Sequence, residues 1–300
     1  MVNQKALAVL AALALATTNG LTPEAQAAPP PPPAVFRIGL VGDTGYDARG
    51  QANFMRVRDH ANASGLSFVV HDGDIWLGGT SCNDDRLRRV KEDFNGFKAL
   101  VYTPGDNEWV DCPQGSAGRL EAIRRVFFSD PKSLGTEPIP QRRQAEVPEN
   151  ARWEWGGVVF ATLNVPGPSG GGPTLGADLA WLDKTFDRAS EIKAPAVMVI
   201  WQDDPVDGSS GDLVSRLRKR AKAFGKPVLL VHGDTHRYRL DNPWKDTPNL
   251  TRLETFPTFT PEWVKVIVKP AGPEVFTIAR LRARCPSVAP RRTRRRGQQR

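Results

Sequence analysis

Four times in this chain an apolar run stops on a Gly-Asp step: Gly42-Asp43, Gly73-Asp74, Gly105-Asp106 and Gly233-Asp234. Each step brings further polar side chains with it. The third continues as Asn107-Glu108, the fourth as Thr235-His236, and a fifth apolar run ends on Gln202-Asp203-Asp204. Taken singly, Pro104-Gly105-Asp106-Asn107 is ordinary turn chemistry. Five such ends that converge are another matter. Carboxylates gathered in one crevice repel one another strongly unless cations sit between them. Aspartate also supplies the hard anionic oxygen that such an ion takes. A metal site is therefore the chemistry to expect. The rival reading is that each aspartate caps the helix after it, which suits Asp43 but explains neither His236 nor the Asn107-Glu108 pair.

Convergence requires the five ends to lie on one rim, and the elements between them supply it. Short, unbroken apolar runs at 35–41, 66–70, 99–102, 158–163, 196–201 and 228–231 read as strands covered on both faces. Helical stretches at 53–63, 85–97, 118–128, 179–189 and 213–224 alternate with them. Such alternation defines an α/β layered domain, whose ligands bind outside the carboxyl ends of the strands. Two further strands, 263–268 and 275–281, flank a turn at Ala271-Gly272-Pro273.

Residues 1–27 read as a secretory signal peptide: Lys5, an apolar run over 6–16, then Ala25-Gln26-Ala27 as a small-x-small cleavage site. That run is too short to span a bilayer, so no transmembrane segment is expected once it is removed. The protein is then secreted or periplasmic. Five consecutive prolines at 29–33 make residues 28–34 an extended spacer. One folded domain is expected over 35–282, followed by a basic tail over 283–300.

Nine of the 41 basic residues fall between Arg280 and Arg300, a stretch without an acid, so the net charge of +8 belongs to the tail. The tail reads as a disordered, solubilising end or as a contact for anionic surfaces. No nucleic-acid fold accompanies it. Three cysteines in an exported chain allow one disulfide. Cys82 and Cys112 each lie a few residues past a Gly-Asp step, hence on one rim, and are the expected pair; Cys285 borders the tail.

In order and spacing these motifs resemble the calcineurin-like metallophosphoesterases, whose pattern runs GDxH, GD, GN-H-[D/E], a later histidine and GHxH. The likeness covers residues 36–238. It implies an α/β fold, a four-layer α/β/β/α sandwich of the metallophosphoesterase type. It also implies two divalent metal ions bridged by an aspartate and holding a hydroxide that attacks phosphorus in line. Carried over by position, Asp43 is the first aspartate and Asp74 the bridge. Asp106 stands where the family has a metal-binding asparagine, and Asn107 where it has the histidine that contacts the phosphate. Gln202 replaces the later histidine, Asp234 the first histidine of GHxH, and His236 keeps the last. The implied metal ligands are thus Asp43, Asp74, Asp106, Gln202, Asp234 and His236, with catalytic roles for Asp74 and Asn107 and substrate contacts from Asn107 and Arg237. Gly45 stands where the first motif has histidine.

The chain has four histidines. His60 reads as a solvated residue on a helix, and His71 and His232 as hydrogen-bonded core residues. The remaining ligand set is oxygen-rich with one imidazole, which suits manganese or magnesium ahead of calcium, iron or zinc. Four carboxylates also neutralise two divalent ions. Attraction for a phosphate dianion is then weak unless Arg237, Arg239 or Arg49 contributes its guanidinium. The resemblance implies an exported phosphoesterase acting on a phosphorylated small molecule or polymer. The alternative is a scaffold of the same fold that binds metal or anionic ligands without turnover. Loops at 142–150 and 166–176 are expected to shape the pocket.

Overall fold

The computed structural model describes residues 34–113, 115–166, 174–208, 210–257 and 259–284. The expected signal peptide, the spacer up to residue 33, the tail from residue 285 and Cys285 lie outside the described residues. In chain order the elements are β1 (Phe36–Val41), α1 (Ala48–Asn62), β2 (Phe68–His71), α2 (Asp84–Asn95), β3 (Leu100–Tyr102), α3 (Ser116–Phe127), β4 (Arg142–Arg143), β5 (Ala151–Trp155), β6 (Val158–Thr162), α4 (Leu175–Glu191), β7 (Val197–Ile200), α5 (Gly211–Phe224), β8 (Val228–His232), β9 (Arg239–Asp241), β10 (Leu250–Glu254), β11 (Glu262–Val268) and β12 (Phe276–Arg282).

The strands form two sheets, a five-stranded one ordered β12-β11-β1-β2-β3 and a seven-stranded one ordered β4-β5-β6-β7-β8-β10-β9. Strand alternation sorts the apolar side chains into three layers of core. Ile38, Leu40, Phe68 and Val70 of one sheet meet Phe160, Met198, Ile200 and Val231 of the other between the sheets. Val41, Val69 and Leu100 turn outward onto Phe54, Leu87, Phe94 and Ile123 of α1, α2 and α3. Val159, Val197 and Leu230 turn outward onto Trp181, Phe186 and Leu217 of α4 and α5. This is the four-layer α/β/β/α sandwich. Its central strands are apolar on both faces because both faces are covered.

Register brings the motif ends level. In the first sheet Val41 pairs with His71 and His71 with Tyr102, all in parallel strands. In the second, Ile200 pairs with Val231. The residues that follow these pairs, Gly42, Asp72, Thr103, Trp201 and His232, therefore start their loops at the same rim. Cys82 and Cys112 are joined in a disulfide on that rim, as their spacing predicts, with Cα atoms 6.0 Å apart. Among the described residues no helix is long and apolar enough to cross a membrane.

Candidate metal centre

The turns after β1 and β2 are joined backbone to backbone. Asp43 N donates to Gly73 O at 2.9 Å and Thr44 N to Asp74 O at 2.6 Å. The third turn passes so close that a side chain at Gly105 would collide with Oδ1 of Asp74, and its Cβ would lie 2.8 Å from Asp74 N. Glycine is the residue that permits this approach. The backbone at the acids is itself unusual. Asp43 (φ 50°), Asp74 (φ 58°), Asp234 (φ 79°) and His236 (φ 60°) are left-handed, and Lys193 is the other described non-glycine residue with positive φ. Each such residue costs roughly 1–2 kcal/mol, so strain is concentrated on four of the six expected ligands.

Ligand atoms of Asp43, Asp74 and His236 all lie within 4.8 Å of one another. The two carboxylates are buried and the imidazole is exposed. Among them stands a group that the spacing of acids and histidines does not reveal, the hydroxyl of Tyr46. Its Oη is 3.1 Å from Asp43 Oδ1, 3.1 Å from Asp74 Oδ2 and 2.9 Å from His236 Nε2. A phenol has one hydrogen and cannot donate to all three. Lone pairs converge on that point, as they do around a cation.

The other expected residues surround this group. Asn107 Nδ2 donates to Asp74 Oδ2 at 2.8 Å and to Trp76 O at 2.9 Å, so both amide hydrogens are turned onto protein acceptors rather than toward a phosphate. Gln202 Nε2 donates to Asp234 Oδ1 at 3.4 Å, and Asp234 N to Asp43 Oδ1 at 3.3 Å. Oδ1 of Asp106 and Oε1 of Gln202 are buried oxygens without a hydrogen-bond partner among the described residues. Asp106 and Asp234 line a 530 Å³ cavity together with Asp204, Arg237 and Arg239. Arg239 is held there by Asp204 (3.1 Å) and Glu254 (3.3 Å), whereas Arg237 is exposed.

Crowding sets the proton affinities. Burial, reinforced by Asp234, pushes Asp43 up to about 8. Burial together with Glu108, Asp106 and Asp43 holds Asp74 well above the carboxylate range. Burial and Asp234 push Asp106 up to about 6. Burial lowers His236, which keeps its imidazole neutral and able to ligate. A divalent cation among these carboxylates would relieve the crowding that raises them. The donor set of carboxylate, amide and phenol oxygens with one imidazole, two of its oxygens buried and unbonded, fits a hard divalent ion.

His71 and His232 are buried and brace the backbone of the motif turns: His71 Nδ1 accepts from Gly73 N at 3.2 Å, and His232 Nδ1 lies 2.9 Å from Gly233 O. His60 is half-buried rather than free in solvent; its Nδ1 accepts from the indole of buried Trp263 at 3.0 Å. Asp43 is not a helix cap either, since α1 is capped by Asp47, which accepts from Gly50 N at 2.6 Å. Residues 142–146 line a separate cavity with Trp153 and Trp181, and no expected ligand borders it. The loop expected over 166–176 falls mostly outside the described residues. Besides Tyr46, reading by motif spacing missed Glu254, which accepts from Arg237 N at 3.0 Å and fixes the loop carrying His236. Its signal was hidden because β10 was not foreseen as a strand.

Two facing sheets with helices outside them are the fold of the calcineurin-like metallophosphoesterases. Among solved structures the chain is similar to GAP50, the anchor in the inner membrane complex of Plasmodium. That likeness has a TM-score of 0.52 at 11% identity over 84% of this chain and 90% of that one. The chain is also similar to a 5'-nucleotidase from Candida albicans (TM-score 0.47, 11% identity, 83% of this chain, 52% of that one). A 5'-nucleotidase precursor from Thermus thermophilus resembles it to the same degree (TM-score 0.46, 12% identity, 83% and 55%). The chain spans about half the length of these two nucleotidases. No protein-family model and no curated protein sequence matches it.

Proposed function

We propose that the protein is an exported, metal-dependent phosphoesterase acting on a phosphorylated small molecule or polymer. The observation that carries this reading is the meeting of Asp43, Asp74 and His236 within 4.8 Å, on left-handed backbone at strand ends drawn from both sheets. Asp43 and His236 would hold one ion and Asp106, Gln202 and Asp234 the other, with Asp74 between them. When bound, two manganese or magnesium ions activate water and clamp the phosphoryl oxygens. Asn107 steadies Asp74 through its amide, and exposed Arg237 offers its guanidinium to the incoming anion.

One observation favours a second reading, a scaffold that binds metal without turnover: Asn107 occupies both amide hydrogens internally, so the residue at the family's histidine position offers no proton to a departing alkoxide. Metal content and hydrolysis of 4-nitrophenyl phosphate, measured on the same purified protein, separate the two. Turnover lost on chelation and in Asp74→Ala supports the enzyme. Metal retained without release of nitrophenol supports the scaffold. If Gln202→Ala were as damaging as Asp74→Ala, the bridging role of Asp74 would be wrong.

A further inference from the structure

A second cavity of 480 Å³ adjoins the centre and has the opposite charge. Arg49 and Arg56 line it from α1, and Arg282 and Arg284 from the end of β12; among the described residues no carboxylate lines it. All four arginines are exposed, and none makes an ion pair among the described residues. Arg56 Nη1 donates to Asn53 Oδ1 at 3.2 Å. Elsewhere on this surface arginines find acids readily, as Arg188 does with Glu154 and Arg218 with Asp246. Four guanidinium groups around one cavity, with no acid against them among the described residues, repel one another, and an anion among them removes that repulsion. Forked guanidinium donors match the oxygens of a phosphate.

Phe259 joins this cavity to the metal centre. It lines the cavity, is 51% exposed, and sets its ring edge-on to both His236 (centroids 5.7 Å apart) and Tyr46 (6.0 Å). The two sites are therefore separated by a wall one aromatic ring thick. The centre is rich in carboxylates and poor in attraction for a phosphate; the arginine cavity supplies the field that it lacks.

We propose that the cavity behind Phe259 binds a second phosphate group of the substrate, so that preferred substrates are small phosphoesters carrying two phosphates, one held at the metals and one by the four arginines. The catalytic half of this proposal rests on the phosphoesterase reading; the binding half does not. Calorimetric titration of metal-free protein with inorganic pyrophosphate and with orthophosphate tests the binding half. Wild type and Asp74→Ala are expected to bind pyrophosphate alike and more tightly than orthophosphate. Arg56→Gln/Arg284→Gln, which alters one exposed residue on each wall, should weaken pyrophosphate at least about tenfold, while Arg142→Gln, outside this cavity, leaves it unchanged. In the metal-loaded protein the double variant should raise KM for an aryl phosphate bearing a second phosphate and leave kcat near that of wild type. Equal pyrophosphate affinity in wild type and the double variant overturns the proposal, whether or not aryl phosphates are hydrolysed. Pyrophosphate binding that depends on the arginines, without hydrolysis of any aryl phosphate, keeps the cavity and sinks the phosphoesterase reading. Affinity that keeps climbing with longer polyphosphates points to an anionic polymer and overturns the small-substrate assignment.

Discussion

The hydroxyl of Tyr46 lies 2.9 Å from Nε2 of His236, a residue 190 positions further along the chain. The contact spans the two sheets, because Tyr46 follows β1 and His236 follows β8. The same hydroxyl meets lone pairs of Asp43 and Asp74, each at 3.1 Å. Tyr46→Phe should therefore destabilise the chelated protein by about 1–2 kcal/mol and the manganese-loaded protein by less. Denaturant unfolding of both forms provides the comparison. Equal losses in the two forms would place the hydroxyl in the coordination shell itself.

Asn107 faces Asp74 with an amide that cannot give up a proton near neutral pH. Activated aryl phosphates should turn over, and alkyl phosphates should fall away steeply with leaving-group basicity. Proton donation by a side chain is typically worth 100-fold to 10,000-fold, so Asn107→His should speed alkyl substrates selectively. A leaving-group series with the same slope for both proteins would remove Asn107 from the reaction.

Away from the centre, Asp178 in the first turn of α4 accepts a hydrogen bond from Asn150 Nδ2 at 2.6 Å and is buried. Burial pushes its carboxyl up to about 7 from an ordinary 3.8. The folded state thus keeps a proton that the unfolded chain releases. Its stabilising contribution is fully present below pH 3.8 and is lost as pH rises toward 7. Asp178→Asn should remove that slope, so that between pH 4 and 7 the wild type loses on the order of 1–3 kcal/mol relative to the variant. Urea midpoints for the two proteins across that window give the answer; parallel curves would contradict it.

The Cys82–Cys112 bridge closes a loop of 30 residues between the segment before α2 and the loop after β3. In the chain-entropy model such a bridge contributes roughly 3–4 kcal/mol. Replacing both cysteines by alanine should lower the thermal midpoint markedly. A peptide map of native protein with Cys285 in the bridge would overturn the pairing.

Of the eight strands foreseen from the sequence, seven have apolar runs because they are buried on both faces or on one face; the eighth, β12, shows Phe276, Ile278, Ala279 and Leu281 in its sequence although its residues are at most half-buried. Those missed, β4, β5, β9 and β10, have other signatures. β4 and β9 have two and three residues, too few for any period to show. β10 reads Leu-Thr-Arg-Leu-Glu although it lies inside a sheet, because Arg252 is neutralised by Asp241 of β9 at 2.7 Å. An ion pair within the sheet erased the apolar run that would have marked the strand. The centre was legible where it is written as Gly-Asp and His, since those types carry their chemistry in their names. Tyr46 was not, because a phenol three residues past an aspartate becomes a neighbour of His236 only after two sheets have docked.

The left-handed backbone at Asp43, Asp74, Asp234 and His236 sets two kinds of selection against each other. Glycine at any of the four would relax the chain, and at the three aspartates it would also remove a repelling charge. Variants chosen only for heat resistance should drift toward glycine there, whereas variants chosen for holding manganese should keep all four residues. An acidic, strained turn that persists through generations is therefore a record that the ion, and not the fold, was being selected.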